Sequence, residues 1–477
     1  MRTLFTTLLL LLPFVPTLAQ ERLTRADSAL VGRILLAEDR RDSSNRALFE
    51  GVDHRNPRLR VLAQRARDRI RDPLFVARDS LPSLPAPVTW PEPAWRTRYR
   101  ALTAQRTDCG ALRAALSDSA WPVRFRAMSF VTPACGADDT LVGILRQWVD
   151  ALPLSAASRA KGEVSWHAAA HAIVALAKVR PSEAGWRAAR MSTHQQWQVR
   201  MYAARAAAVL ADTNRLRTLA RDRNDDVKEA AIDALSKLTG HADDELYLST
   251  LVASGPQAVR AAAIALKGSP RADIAAAANA AFDRWVTRAN ASERDVRVAL
   301  LDAAGRPASD DRPPPVKVTL PPGAIRLALG EDVRIRVTMA PSSGGGSFVV
   351  RLRGDIAPMM AARVLELARQ GYYDDGNWHR VEHDFVIQGA GPGSNEYVGH
   401  ADYLRDELGN VPHTRGTVGM STRAHDTGDA QWFINLRDNL RLIRDYTVFA
   451  EVVEGIEVVD GVLEGDRIAR MEEVRPR

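Results

Sequence analysis

Cysteine is nearly absent from this 477-residue chain, which carries only Cys109 and Cys135. Two cysteines so far apart make no zinc site by themselves. In an oxidising compartment they would close a loop of about 27 residues, with a stabilisation of about 3 kcal/mol. Otherwise they are two small buried apolar residues, and mass comparison under reducing and non-reducing conditions separates the two readings. Lysine is scarce beside arginine, and basic and acidic residues are interspersed without runs. The formal charge of +7 therefore reads as a compositional bias and not a phosphate-binding face, which argues against nucleic acid as a partner. Beyond the N-terminal segment no apolar stretch approaches membrane-spanning length.

Patterns for several chemistries are missing too. His383, His400, His413 and His425 lie near Asp384, Asp402 and Asp426, but no two histidines have the helical spacing of metal ligands. The stretch Gly389-Ala390-Gly391-Pro392-Gly393 lacks a strand-to-helix setting, and proline offers no amide to a phosphate. No nucleophile-elbow pattern supports a Ser/His/Asp arrangement. No cofactor or metal is expected.

The first nineteen residues form a targeting segment. Arg2 gives a positive start, Leu4 to Val15 a short apolar run, and Thr17-Leu18-Ala19 a small-residue cleavage pattern. Cleavage after Ala19 predicts an exported protein, periplasmic or secreted, with no membrane segment left. No cysteine follows the cleavage point, so a lipid anchor is not indicated.

Residues 20–305 are rich in alanine, leucine and arginine at helical spacing, as in Ala203, Ala206, Ala207 and Leu210. A short signature recurs in which a Val-Arg or similar pair opens a helix: Leu59-Arg60, Val123-Arg124, Val199-Arg200, Val227-Lys228, Val259-Arg260 and Val296-Arg297. Positions 199, 227, 259 and 296 are separated by 28, 32 and 37 residues, the range of helix-pair repeats. The segment resembles a HEAT-repeat α-helical solenoid, whose repeats bury one apolar stripe against each neighbour and offer a surface for a client or partner protein. An ordinary irregular helical bundle is the plainer reading. A lyase or hydroxylase site in residues 20–305 would need paired His-Glu metal motifs, which are not there.

Residues 306–322 hold Pro307, Pro313-Pro314-Pro315 and Pro321-Pro322 among polar residues and read as an extended interdomain linker. Residues 323–477 form the second domain. Strands are expected over Ile325–Leu329, Val333–Met339 and Phe348–Leu352, with a hairpin turn at Ser342 to Gly346 and a helix over Ala357–Gln370.

The most informative stretch is Trp378-His379-Arg380-Val381-Glu382-His383-Asp384-Phe385-Val386-Ile387-Gln388-Gly389. It sets an arginine, two apolar residues and an amide at fixed spacing, groups that suit rotation about a prolyl peptide bond. Conjugation of the prolyl nitrogen with the carbonyl gives a barrier of about 18–20 kcal/mol. A guanidinium that hydrogen-bonds the nitrogen once it pyramidalises stabilises the twisted state over either ground state. Arg380 is the candidate, and the reaction needs neither nucleophile nor metal.

From about Arg334 to Arg477 the sequence resembles a cyclophilin-type peptidyl-prolyl isomerase. Besides His379-Arg380-Val381 the matching residues include Ala357-Pro358, Gly371-Tyr372-Tyr373-Asp374, Phe385-Val386-Ile387-Gln388-Gly389, Asp406-Glu407, Gly416-Thr417-Val418-Gly419-Met420, Gln431-Trp432-Phe433-Ile434 and Tyr446-Thr447-Val448-Phe449. The resemblance implies a closed antiparallel β-barrel with flanking helices and a peptidyl-prolyl cis-trans isomerase activity (EC 5.2.1.8) on X-Pro bonds of exported, proline-containing client polypeptides. It makes Arg380 the catalytic arginine, with Gln388 and His379 as its companions. Phe385, Val386, Phe433 and Leu442 line the proline pocket, with Gln431 and Tyr446 beside it.

Departures from the pattern matter. Ser421-Thr422 replaces a small residue and an asparagine, leaving the backbone there as the expected substrate contact. Arg441 stands where many members carry a tryptophan, so cyclosporin-type binding is not implied. Trp432 in place of phenylalanine should alter packing more than chemistry. These changes favour the alternative, a catalytically weak cyclophilin-like module that binds proline peptides in an assembly platform. His379 is expected as a hydrogen-bonded neighbour of the site.

Overall fold

The computed structural model describes residues 23–72, 88–155, 158–288, 290–312, 319–409 and 411–474. The targeting segment and Pro313-Pro314-Pro315 lie outside these residues. In chain order the helices are α1 Arg25–Asp39, α2 Arg46–Val52, α3 Pro57–Arg71, α4 Trp95–Ala101, α5 Cys109–Ala115, α6 Trp121–Phe130, α7 Asp139–Asp150 and α8 His167–Val179. They continue as α9 Pro181–Met191, α10 Trp197–Val209, α11 Thr213–Leu219, α12 Asp225–Thr239, α13 Asp244–Ala253, α14 Pro256–Leu266, α15 Ile274–Val286 and α16 Arg294–Ala303.

Helices α6, α8, α10, α12, α14 and α16 form one row, each packed on the next, and the helices between them in sequence back the row. The recurring signature has a clear physical basis. Leu59, Val123, Val199, Val227 and Val296 each occupy the third position of their helix and Val259 the fourth, and all six are buried. The arginine after the apolar residue turns back to the loop that precedes its helix. Arg60 donates to the carbonyls of His54 and Arg55, Arg124 to that of Asp118, Arg200 to those of His194 and Gln195, and Arg297 to that of Asn290. Arg200 also grips Asp222 at 2.7 and 2.8 Å, and Arg297 grips Asp311 at 2.7 Å. The pair thus buries the helix start and satisfies loop carbonyls that would otherwise be left unpaired near the core.

Cys109 and Cys135 form a disulfide with Cα atoms 5.4 Å apart, which selects the first of the two readings given above. It joins the start of α5 to the short 3₁₀ turn Pro133–Ala137.

The C-terminal region adds β1 Arg334–Met339, β2 Ser347–Leu352, β3 Arg380–Val381, β4 Val386–Gly389, β5 Thr417–Met420, β6 Trp432–Asn435, β7 Val448–Glu454 and β8 Ile468–Val474. They make one antiparallel half-barrel in the order β3-β4-β6-β5-β7-β2-β1-β8. Asn377, just ahead of β3, bridges Arg467, just ahead of β8. The β1–β2 turn passes through Gly344, Gly345 and Gly346, all at positive φ, where residues with a Cβ are strained. The expected strand over Ile325–Leu329 is instead a short helix, α17 (Ala324–Ala328). One helical turn suffices to bury Ala324, Leu327 and Ala328 together, and alternation would have split them between two faces. Helix α18 (Pro358–Arg369) has its first amides, at Met359 and Met360, bonded by the buried carboxylate of Glu407 at 3.2 and 2.9 Å. A last helix, α19 (Ile456–Asp460), follows β7.

The two hydrophobic cores divide the chain differently from the sequence boundaries. Leu30, Val31, Ile34, Leu48, Leu59 and Leu62 of α1–α3 pack in one core with Ile335, Phe348, Leu365, Trp378 and Phe449 of the barrel region. The second core runs from Leu102 to Leu301 and takes in Leu463 from the barrel side. The first described part of the expected linker, residues 306–312, caps α16 through the buried Arg297–Asp311 pair. Buried arginines stitch the two regions together. Arg96 reaches the carbonyls of His383 and Leu436 and the carboxylate of Asp460, and Arg159 pairs with Asp466.

Candidate active site

The register of the half-barrel brings four sequence positions into one line. Arg380 on β3 faces Gln388 on β4, Gln388 faces Phe433 on β6, and Phe433 faces Gly419 on β5. Directly paired residues project from the same side of a sheet, so the guanidinium, the amide and the phenyl ring lie side by side. Gly419 is the residue that lets the ring settle, since a Cβ there would come within 2.4 Å of Phe433.

The polar part of the line is a chain of hydrogen bonds. Arg380 Nη1 donates to Gln388 Oε1 at 3.1 Å, and Gln388 Nε2 donates to Ser421 Oγ at 2.9 Å. Arg380 is exposed and Gln388 is buried, so the amide fixes the guanidinium from below and leaves its other donors open.

The apolar part is a small separate cluster of Val386, Phe433 and Leu442 with Phe385 and Tyr446 against it. These residues line a cavity of about 270 Å³ together with Arg380, Gln388, Ser421, Thr422, Glu396 and Arg441. The Phe433 ring meets Tyr446 edge-on at 5.6 Å, and the Arg441 guanidinium lies 4.6 Å from the centre of Phe385. The lining thus joins apolar side chains to two guanidiniums, Arg380 and Arg441, and one carboxylate, Glu396.

Two expected site residues lie elsewhere. His379 turns to the opposite side from Arg380, as successive residues of an extended segment do, and is absent from the cavity lining. It was expected to be hydrogen-bonded, yet neither of its ring nitrogens has a partner among the described residues. Burial and the neighbouring Arg380 charge lower its pKa to about 4. Gln431 is also outside the cavity. Its Nε2 donates to the carbonyls of Asn395 and Val398 at 2.8 and 2.7 Å, so it holds the loop that carries Glu396. Trp432 packs on the far side of the sheet, edge-on to Trp378 at 5.1 Å.

The sequence reading missed the support beneath the pocket. His413, considered above only as a metal ligand, is buried, stacks on Phe433 at 5.9 Å and contacts Asn435 Nδ2 and the Tyr446 carbonyl, each at 3.2 Å. Burial lowers its pKa to about 4. Asn439 Nδ2 donates to the Phe385 carbonyl at 3.0 Å and to Asn435 Oδ1 at 2.8 Å. The signal available was two asparagines four residues apart flanking the Phe433 block, too common a pattern to stand out. Glu396 also went unremarked, since its place is set by the loop and not by any strand register.

Comparison with known proteins agrees with this geometry. The family model described as cyclophilin type peptidyl-prolyl cis-trans isomerase/CLD matches residues 336–475. Peptidyl-prolyl cis-trans isomerase B of Escherichia coli is 35% identical over 128 residues, a match covering 24% of this chain and 78% of that protein. A peptidyl-prolyl cis-trans isomerase of Helicobacter pylori is 32% identical over 127 residues, covering 26% of this chain and 78% of that protein. The crystal structure of a Cryptosporidium parvum cyclophilin type peptidyl-prolyl cis-trans isomerase aligns over 31% of this chain and 100% of its own, at 19% identity and a TM-score of 0.29. With its matched segment spanning the whole cross-strand line from Arg380 to Gly419, the chain belongs to the cyclophilin-type peptidyl-prolyl cis-trans isomerases.

Proposed function

We propose that Arg380 is the catalytic residue of a peptidyl-prolyl cis-trans isomerase acting on exported proteins, and that the helical stack holds the client or a partner beside it. The observation that carries the reading is the Arg380–Gln388–Phe433 line: a cation fixed by an amide beside a hollow of about 270 Å³ lined in part by apolar side chains. As the X-Pro bond twists, its nitrogen gains a lone pair that a guanidinium proton can meet, and this bond is strongest at the top of the barrier. Phe385, Val386, Phe433 and Leu442 seat the ring, Tyr446 closes the side, and the Ser421-Thr422 backbone runs beside the peptide. Gln388 positions Arg380. Gln431 and His379 act from outside the pocket.

The finer architecture belongs to the same proposal. A HEAT-like solenoid is supported by the repeated buried aliphatic residue with its loop-gripping arginine, and a closed barrel by the Asn377–Arg467 bridge. Export is supported by the targeting pattern of residues 1–19 and by the Cys109–Cys135 disulfide.

The test uses the full chain and a proline-containing peptide. Arg380→Ala is expected to reduce the catalysed isomerisation rate by about 10²–10³-fold, the scale of removing one transition-state donor, with an unchanged melting curve. The catalytically weak binding module predicts peptide affinity with negligible rate in the wild-type chain itself, and that result would replace the enzymatic reading.

A further inference from the structure

Arg380 is exposed at a junction. Besides the proline pocket it borders a chamber of about 330 Å³ and a longer cleft of about 980 Å³, both walled on one side by the helical stack. His379, Arg205 and Glu464 are common to the chamber and the cleft. A polypeptide leaving the pocket past Arg380 on this side therefore runs between α6, α8 and α10 and the barrel edge.

The chamber has an unusual wall. Phe125, His167, His171, Tyr202, His379 and His383 contribute to it. Phe125 is stacked on His171 at 4.6 Å and on His383 at 6.2 Å, and His171 lies 5.0 Å from Tyr202. Burial lowers the pKa of His167, His171 and His383 to about 3 and that of His379 to about 4, so the imidazoles are uncharged aromatic rings at neutral pH. Several of the formal charges nearby are engaged. Glu464 accepts from the Tyr202 hydroxyl at 2.8 Å, Arg205 lies 4.4 Å from the Tyr202 ring, and Arg126 lies 4.2 Å from the Phe130 ring.

Three side chains of the lining are left with unmet hydrogen-bonding capacity among the described residues, Arg126 at Nε, His167 and His379. His167 is 3% exposed, and its Nδ1 has no partner among the described residues although Nε2 contacts the Glu464 carbonyl at 2.9 Å. Both nitrogens of His379 are without a partner among the described residues. A neutral imidazole carries one N–H donor and one acceptor, and buried groups of this kind are nearly always paired in folded proteins. Flat aromatic walls with free imidazole donors and acceptors suit a side chain that is itself aromatic and polar at its edge.

Resting on the reading of Arg380 as catalytic, we infer that this chamber is a specificity subsite, built jointly by the helical stack and the barrel, for a tyrosine or tryptophan next to the isomerised proline in an extended client segment. The stack is then part of the substrate site and selects sequence. The setting between two layers suits an extended chain.

The experiment takes the full chain and a set of peptides identical except at the residue flanking proline on either side, with Tyr, Trp, Leu, Lys, Glu or Ala there, and measures kcat/KM for isomerisation. Tyrosine and tryptophan peptides are expected to be favoured by about tenfold over alanine, the scale of one aromatic contact. Ser129→Trp, a change at an exposed position on the chamber rim, is expected to bring that preference close to parity through KM while leaving the alanine peptide unaffected. Equal rates on all peptides would overturn the inference and leave the histidines serving bound water only. A preference that survives Ser129→Trp in a chain of unchanged melting temperature would also overturn it. Absence of catalysis on every peptide would instead refute the catalytic role of Arg380.

Discussion

In the helical stack each helix finds its partner nearby in sequence: α10 packs on α12, and α12 on α14. In the strand-rich core, Leu30, Ile34 and Leu62 share a cluster with Ile335 and Phe449, residues about 270 to 420 positions later. The contacts at the seam are equally distant. Arg69 reaches the carbonyls of Leu408 and Ile356, and Arg96 that of Leu436. A local architecture repeats its instructions, whereas a nonlocal one states each instruction once. The difference shows in what the arginines do. In the stack they grip their own preceding loop; at the seam they satisfy carbonyls of a remote segment.

Removing residues 1–72 is the harshest way to break this comparison. It strips Leu30, Val31, Ile34, Leu35, Leu59 and Leu62 from the barrel core. At about 1.5–3 kcal/mol for each buried aliphatic side chain, the loss rivals the whole stability of a domain, commonly about 5–15 kcal/mol. The truncated chain is expected to lose the cooperative unfolding of the barrel and its isomerase rate. A fully active, cooperatively melting truncation would show that α1–α3 are dispensable.

Next comes the seam. Arg159 and Asp466 are each 4% exposed at the side chain, and Arg159→Ala leaves the Asp466 carboxylate buried without its cation. A loss of about 3–5 kcal/mol is expected in chemical unfolding. The exposed stack pair Arg146–Glu183 should register only about 0–1 kcal/mol when Arg146 is replaced by alanine. Equal effects would remove the distinction between seam and stack. Reduction of Cys109–Cys135 should cost about 3 kcal/mol, read as a lower unfolding midpoint with unchanged isomerase rate, since neither cysteine lines the pocket beside Arg380.

A separate effect is set by pH. His167, His171 and His383 are held near 3 in the folded chain, below the ordinary histidine value of about 6.5. The unfolded chain therefore takes up their protons first. Their contribution is complete above about pH 6.5 and is lost as pH falls toward 3. Glu229, raised to about 8 by burial, works in the opposite direction above the ordinary carboxylate range. The informative measurement is wild type against His171→Gln at each pH, with the variant expected to show the shallower acid decline.

Much of the site was legible in the sequence because a strand register preserves spacing. Arg380 and Gln388 are eight residues apart around a tight turn, and Phe433 joins them by pairing with Gln388. The helical signature was legible for a similar reason, since a buried aliphatic residue in the first helical turn recurs along the stack. What escaped the sequence depended on distant segments. Residues 325–329 alternate well enough for a strand, but docking of Leu327 and Ala328 into the core made them helical. His379 looked like a site residue by adjacency, and its backbone direction turned it toward the stack. The attachment of α1–α3 to the barrel left no local trace, because any amphipathic helix has the same periodicity whichever surface it covers.

The joining of α1–α3 to the barrel also fixes an order of events in time. A ribosome delivers those helices first and the strands they need last, with more than two hundred residues of stack in between. The early helices must wait with their apolar faces uncovered, or borrow a temporary cover, until β8 emerges. The proline pocket is therefore among the last features of the molecule to exist, and an incompletely made chain carries a finished scaffold with no isomerase on it.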